Sequence, residues 1–145
     1  MRAHERSEHD LAPVSVANFV RSLSGLGRLR AVLHHASGLA EVFCEATCLD
    51  VTSSRLDVVT HGAHVHLDLR PLACARLLDA GDHAHPAKPS VVLYARGGAP
   101  VLALVLDGSD ELACARQRMA FLELRSRFGG HVCLGDAPVA ERVLH

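Results

Sequence analysis

The chain has 145 residues, 49% apolar and 21% charged, with a formal net charge of −1; folding at this size buries roughly 70% of the unfolded surface, enough for one domain with its own core. The near-neutral balance, with no basic run, removes the electrostatic case for a nucleic-acid partner. No apolar run reaches the roughly 18 residues of a membrane span, and five cysteines without Cys-x-x-Cys spacing argue against a secreted disulfide framework, so a cytoplasmic protein with reduced thiols is expected.

Residues 1–12 are too charged for a signal peptide and read as a mobile leader ahead of a domain over 13–130. From Pro13 to His35 the apolar positions Val16, Phe19, Val20, Leu23, Leu26, Leu29, Val32 and Leu33 recur at three and four. That spacing, interrupted by Gly25 and Gly27, predicts two short helices. Leu39 to Thr60 gives β-prone pieces, with turns at Ser53-Ser54 and His61-Gly62. The segment Ala63-His64-Val65-His66-Leu67-Asp68-Leu69-Arg70 alternates strictly, which sets Val65, Leu67 and Leu69 on one face and His64, His66, Asp68 and Arg70 on the other. Leu72 to Leu78 fits either helix or strand by pattern alone. After the polar loop Asp82-His83-Ala84-His85-Pro86, Ser90–Ala95 and Val101–Leu106 form a hairpin about Gly97-Gly98. Asp107-Gly108-Ser109 stops the second strand; Ser109 is the expected N-cap of a helix that opens with Asp110 and Glu111 and ends at Gly129-Gly130. Residues 131–145 are assigned to a C-terminal tail.

Eleven histidines gather at His34-His35, at His61/His64/His66 and at His83/His85. Residues i and i+2 of a strand share a face, so the imidazoles of His64 and His66 can reach one metal, and with Asp68 they spell H-x-H-x-D, a pattern of dinuclear zinc hydrolases. Arg70 on the same face competes for Asp68. The plainer reading of these histidines is the wet face of a half-buried antiparallel strand. Cys44 and Cys48 read as buried, reduced thiols. There is no G-x-S-x-G, P-loop or dinucleotide fingerprint.

The order strand, glycine turn, strand, Asp107-Gly108-Ser109 stop and closing helix resembles the C-terminal part of the ChuX and HutX group of haem-utilisation proteins, in the HemS/ChuX superfamily. The likeness runs over Gly38 to Phe128 and includes His61-Gly62-Ala63-His64-Val65-His66 and Ala75-Arg76-Leu77-Leu78-Asp79. It implies an α+β single domain with an antiparallel β-sheet saddle flanked by helices, with Leu72 to Leu78 a strand. It further implies a homodimer that binds haem through histidine for storage or transfer in the cytoplasm, passing it to a haem-accepting or haem-degrading protein, with no membrane or nucleic-acid partner. The resemblance puts His66 at the family's ligand position, as the axial ligand of the haem iron, with His64 and His61 beside it. Glu45 falls where family members carry another histidine on an early strand, and a carboxylate is a poor substitute for imidazole at haem iron. Arg70, Arg76 and Arg96 are candidates to face the propionates, and Phe43 and Tyr94 to wall the ring. Two alternatives stand beside the carrier: the same fold without haem as a small-ligand or protein-interaction module, and a haem-degrading or metal-dependent enzyme.

Overall fold

A computed structural model of the chain describes residues 13–52, 54–60, 62–79 and 88–135. The leader 1–12, Ser53, His61, residues 80–87 with His83 and His85, and residues 136–145 lie outside the described residues. The elements are β1 (Val14–Ser15), α1 (Val16–Arg21), β2 (Arg28–His35), β3 (Gly38–Glu45), β4 (Leu49–Thr52), β5 (Arg55–Thr60), β6 (Ala63–Asp68), β7 (Leu72–Leu78), β8 (Ser90–Ala95), β9 (Pro100–Leu106), α2 (Glu111–Phe128) and β10 (His131–Gly135). Short 3₁₀ turns occupy Ser22–Leu26 and Ala46–Cys48. A seven-stranded sheet runs in the order β1-β10-β7-β8-β9-β2-β3, and a three-stranded sheet in the order β4-β5-β6. All pairs are antiparallel except β1 with β10, which is parallel. The architecture is α+β.

Of the two helices expected over Pro13–His35, the first forms and the second does not. Ser15 caps α1, its hydroxyl accepting from the Asn18 N–H at 3.2 Å, and Phe19, Val20, Leu23 and Leu26 are buried. Gly27, at φ +79°, then turns the chain out of helical geometry. Leu29, Val32 and Leu33 belong instead to β2, which is hydrogen-bonded on one side to β3 and on the other to β9. Their spacing suits a helix, but beyond the Gly27 turn the backbone pairs with strands on both sides, and the alternation sends Leu29 and Ala31 into the core while Arg30 and His34 turn outward. The tail assignment is likewise corrected at its start: His131–Gly135 pairs with β7 and with β1, burying Val132 and Leu134.

The hairpin β8–β9 turns through Gly97 and Gly98 at φ +94° and +96°, and β7 is a strand. Helix α2 begins one residue later than expected: Asp110 is the N-cap, its carboxylate accepting from the Ala113 N–H at 2.8 Å, and Gly129 at φ +87° ends it. One core cluster takes in both sheets and both helices. Gln117, buried on α2, locks that helix to the other elements; its Nε2 donates to the carbonyls of Leu26 and Arg28, each at 2.7 Å. Gly108 makes room for it, since a Cβ there would lie 2.8 Å from Gln117 Oε1 and 2.9 Å from the Cys114 backbone nitrogen. Among the described residues no helix is long and apolar enough to cross a membrane.

Candidate functional site

The three-stranded sheet separates its residues by face. In the β5–β6 hairpin the register Thr60↔Ala63 closes the turn, with Gly62 at φ +84°, and Leu56↔Leu67 and Val58↔Val65 face inward. Asp57↔His66, Val59↔His64 and Arg55↔Asp68 face outward. A strand's period of two therefore delivers His64 and His66 to one surface, as expected, and the hairpin register adds Asp57 from across the ladder.

His66 Nδ1 lies 2.6 Å from Asp57 Oδ1, and the His64 and His66 rings sit 4.3 Å apart between centroids. The Asp57 side chain is only 13% exposed and is also held by Arg55, Nε to Oδ1 at 3.0 Å. The hydrogen bond from His66, reinforced by Arg55, holds the Asp57 carboxyl below the usual carboxylate range. An ionised carboxylate only accepts, so Nδ1 of His66 carries a proton, and in the neutral ring Nε2 has a lone pair for a ligand. Asp68 is committed elsewhere. Arg70 bonds it through its backbone N–H at 3.0 Å and through its guanidinium at 3.0 and 2.9 Å. These bonds hold the Asp68 carboxyl down to about 2. The competition expected from Arg70 is thus realised, and it removes Asp68 and Arg70 from the histidine pair.

An open cleft of ≈ 680 Å³ lies at the end of β3 and β5, lined by Arg28, Phe43, Cys44, Glu45, Cys48, Val59 and Thr60. Its volume falls within the range of small-molecule sites, roughly 300–1,000 Å³. Phe43 and Val59 give it apolar walls. Arg28 supplies a cation, its guanidinium 5.5 Å from the Phe43 ring centroid and its Nε 3.3 Å from Asp107 Oδ2. Burial, with lesser contributions from Cys48 and Glu45, pushes the Cys44 thiol up to about 11. Cys48, in contrast, is exposed.

Glu45 therefore sits on the cleft, and His64 is the cross-strand partner of the cleft residue Val59. Of the other candidates, Phe43 lines the cleft, whereas Arg70, Arg76, Tyr94 and Arg96 do not. His61 is outside the described residues. Sequence reasoning missed Asp57 and Arg28. A two-residue turn at His61-Gly62 implies that paired residue numbers sum to 123, which would have set Asp57 opposite His66. Nothing local marks Arg28, which reaches the cleft only because β2 and β3 pair with Arg28 opposite Glu45.

No protein-family model and no curated protein matches the chain. Among solved structures, the chain is similar to ChuX, with 17% identity over 76% of this chain and 69% of that one, at a TM-score of 0.55. A structural-genomics protein from Agrobacterium tumefaciens is similar at 18% identity and TM-score 0.55, the match covering 76% of this chain and 64% of that protein, just under two thirds of its length. A protein from Erwinia carotovora gives 16% identity and TM-score 0.54 over 76% of this chain and 69% of its own. The fold is ChuX-like.

Proposed function

We propose that this chain, with its ChuX-like fold, is a cytoplasmic haem-binding protein that stores haem or passes it to an accepting or degrading partner without itself catalysing a reaction. The observation that supports this most is a cleft with apolar walls and a cation whose residue Val59 pairs across the ladder with His64; His64 and His66 themselves lie outside its lining. In this reading His66 ligates the iron through Nε2 while Asp57 holds Nδ1, the outer-shell arrangement usual for metal-bound imidazole. Phe43 and Val59 cover the ring, and Arg28 faces a propionate. Haem supplies the bound iron; the chain's residues orient His66, exclude water from one side of the cleft and balance charge.

The working form proposed is a homodimer whose antiparallel strands form a saddle. The apolar stripe of α1 and the 3₁₀ turn after it is spent on the chain's own core, so the pairing surface is assigned to sheet edges. The edge strand β3, with Leu39 and Phe43 exposed, offers the longest such edge among the described residues. Light scattering should give about twice the 15.5 kDa chain mass.

Titration with hemin tests the haem reading. A sharp Soret band at one haem per chain is expected, and His66→Ala should weaken and shift it more than His64→Ala does. Identical spectra for wild type and His66→Ala would remove His66 from the site. The presence of Glu45 where the resemblance expects histidine favours a second reading: a scaffold of this fold that takes a small ligand other than haem. Absence of any Soret band would put that reading first.

A further inference from the structure

We infer that Asp57, His64 and His66 form a site for a divalent first-row transition-metal ion of the zinc, nickel or cobalt type. One donor atom from each of the three lies within 4.8 Å of the other two. Donors bound to one such ion at roughly 2.0–2.2 Å sit about 3–3.5 Å apart in a tetrahedron, so the ion takes the place of the proton in the 2.6 Å Asp57–His66 hydrogen bond, the proton leaves to solvent, and side-chain rotations complete the site. Two imidazoles and one carboxylate are the donor set that zinc and its neighbours favour over magnesium or calcium, which prefer all-oxygen sites.

The backbone supplies most of the preorganisation. Asp57 and His66 are directly opposite in the hairpin register, and His64 shares their face two residues along β6. Asp57 is fixed by Arg55 and largely shielded. The surrounding charge also suits a cation: Asp50 is paired with Asp57 on β4, and Asp68 follows on β6, so three carboxylates face the two guanidinium groups of Arg55 and Arg70. The H-x-H-x-D pattern of the sequence thus contributes its two histidines, while Arg70 retains Asp68 and Asp57 takes the carboxylate position from the neighbouring strand. Three protein ligands leave room for water or an added ligand on the solvent side.

This inference does not rest on the haem reading; the two share His66 as a ligand and use Asp57 differently, holding the His66 ring in one and binding the ion in the other, so occupancy by one excludes the other. Co²⁺ titration of the full chain tests it, because tetrahedral or five-coordinate cobalt gives visible absorption. One equivalent is expected to bind, with displacement by Zn²⁺, and His64→Ala and Asp57→Asn should each lower the affinity by roughly 10-fold or more. His34→Ala, which removes a histidine remote from the hairpin face, should leave it unchanged. Zn²⁺ should raise the melting temperature of wild type but not of folded His64→Ala. Unchanged cobalt affinity in both hairpin variants, or loss of equal size in His34→Ala, overturns the site. The haem reading fails separately, by the absence of a Soret band from wild type; a His64→Ala chain that keeps its Soret band but loses cobalt shows the two to be distinct.

Discussion

On the seven-stranded sheet, even the outward side is apolar at its centre. Val92, Ala103 and Val32 lie in one row across β8, β9 and β2, and both valines are only 8% exposed. On the three-stranded sheet the outward rows read Asp50–Asp57–His66 and Thr52–Arg55–Asp68. Both sheets drive their inward side chains into the same core. The large sheet therefore carries an apolar centre on its outward side too, flanked by the exposed Arg76 and Glu41, and the small one joins the core with one face and leaves the other to ionisable groups. Chemistry is carried where side chains can be exchanged without opening the core.

The comparison is tested most severely by truncating the centre of each sheet. Leu104 on β9 and Leu56 on β5 are each 1% exposed, so Leu104→Ala and Leu56→Ala should each cost about 2–5 kcal/mol, read as a lower midpoint in a single urea transition. If Leu56→Ala instead leaves the global midpoint in place and only speeds amide exchange in β4–β6, the sheets are separate cooperative units. Gln117→Leu comes next. It strips the buried Leu26 carbonyl of this donor and the Arg28 carbonyl of one of two, the Asp107 N–H remaining, and should cost about 1–3 kcal/mol by the same measurement.

A smaller effect is expected from alkali. The Cys44 thiol titrates at about 11 in the folded chain against 9.0 as its ordinary value. The raised value means that the unfolded state loses this proton first, so the contribution is complete below pH 9 and is lost as pH rises toward about 11. A thiol-alkylation profile should show Cys48 reacting at pH 8 and Cys44 resisting until that range. Equal reactivity of the two would contradict the burial of Cys44. Least costly is Glu45→His, at a cleft edge, where a stability change within about 0.5 kcal/mol is expected. In the haem reading it adds a second imidazole and moves the hemin spectrum toward a six-coordinate, low-spin form; a folded variant with an unaltered spectrum would put Glu45 out of reach of the iron.

Much of this division was readable from residue order. The alternation of Ala63 to Leu69, the glycine pair of β8–β9 and the Asp107-Gly108 stop before α2 are local signals, and each produced the element it predicts. What escaped depends on partners far along the chain. Leu29, Val32 and Leu33 carry a spacing compatible with a helix, and only the hydrogen bonds to β3 and β9 decide for a strand. Likewise β10 is too short to declare itself without β7 and β1 on either side. At the site, the histidines were visible because they lie two apart on one strand, and Asp57 was hidden because its place is set by a ladder rather than by its neighbours in sequence.

The anchoring of α2 bears on how the chain is made. Gln117 reaches back 91 residues to Leu26 and 89 to Arg28. At synthesis rates of about 5–20 residues per second, 91 residues correspond to about 5–18 s. For that interval the carbonyls of Leu26 and Arg28 have emerged while the side-chain amide of Gln117 has not. A newborn chain thus carries Leu29 and Ala31, both fully buried in the finished fold, uncovered for seconds until β9 and the closing helix have followed them out.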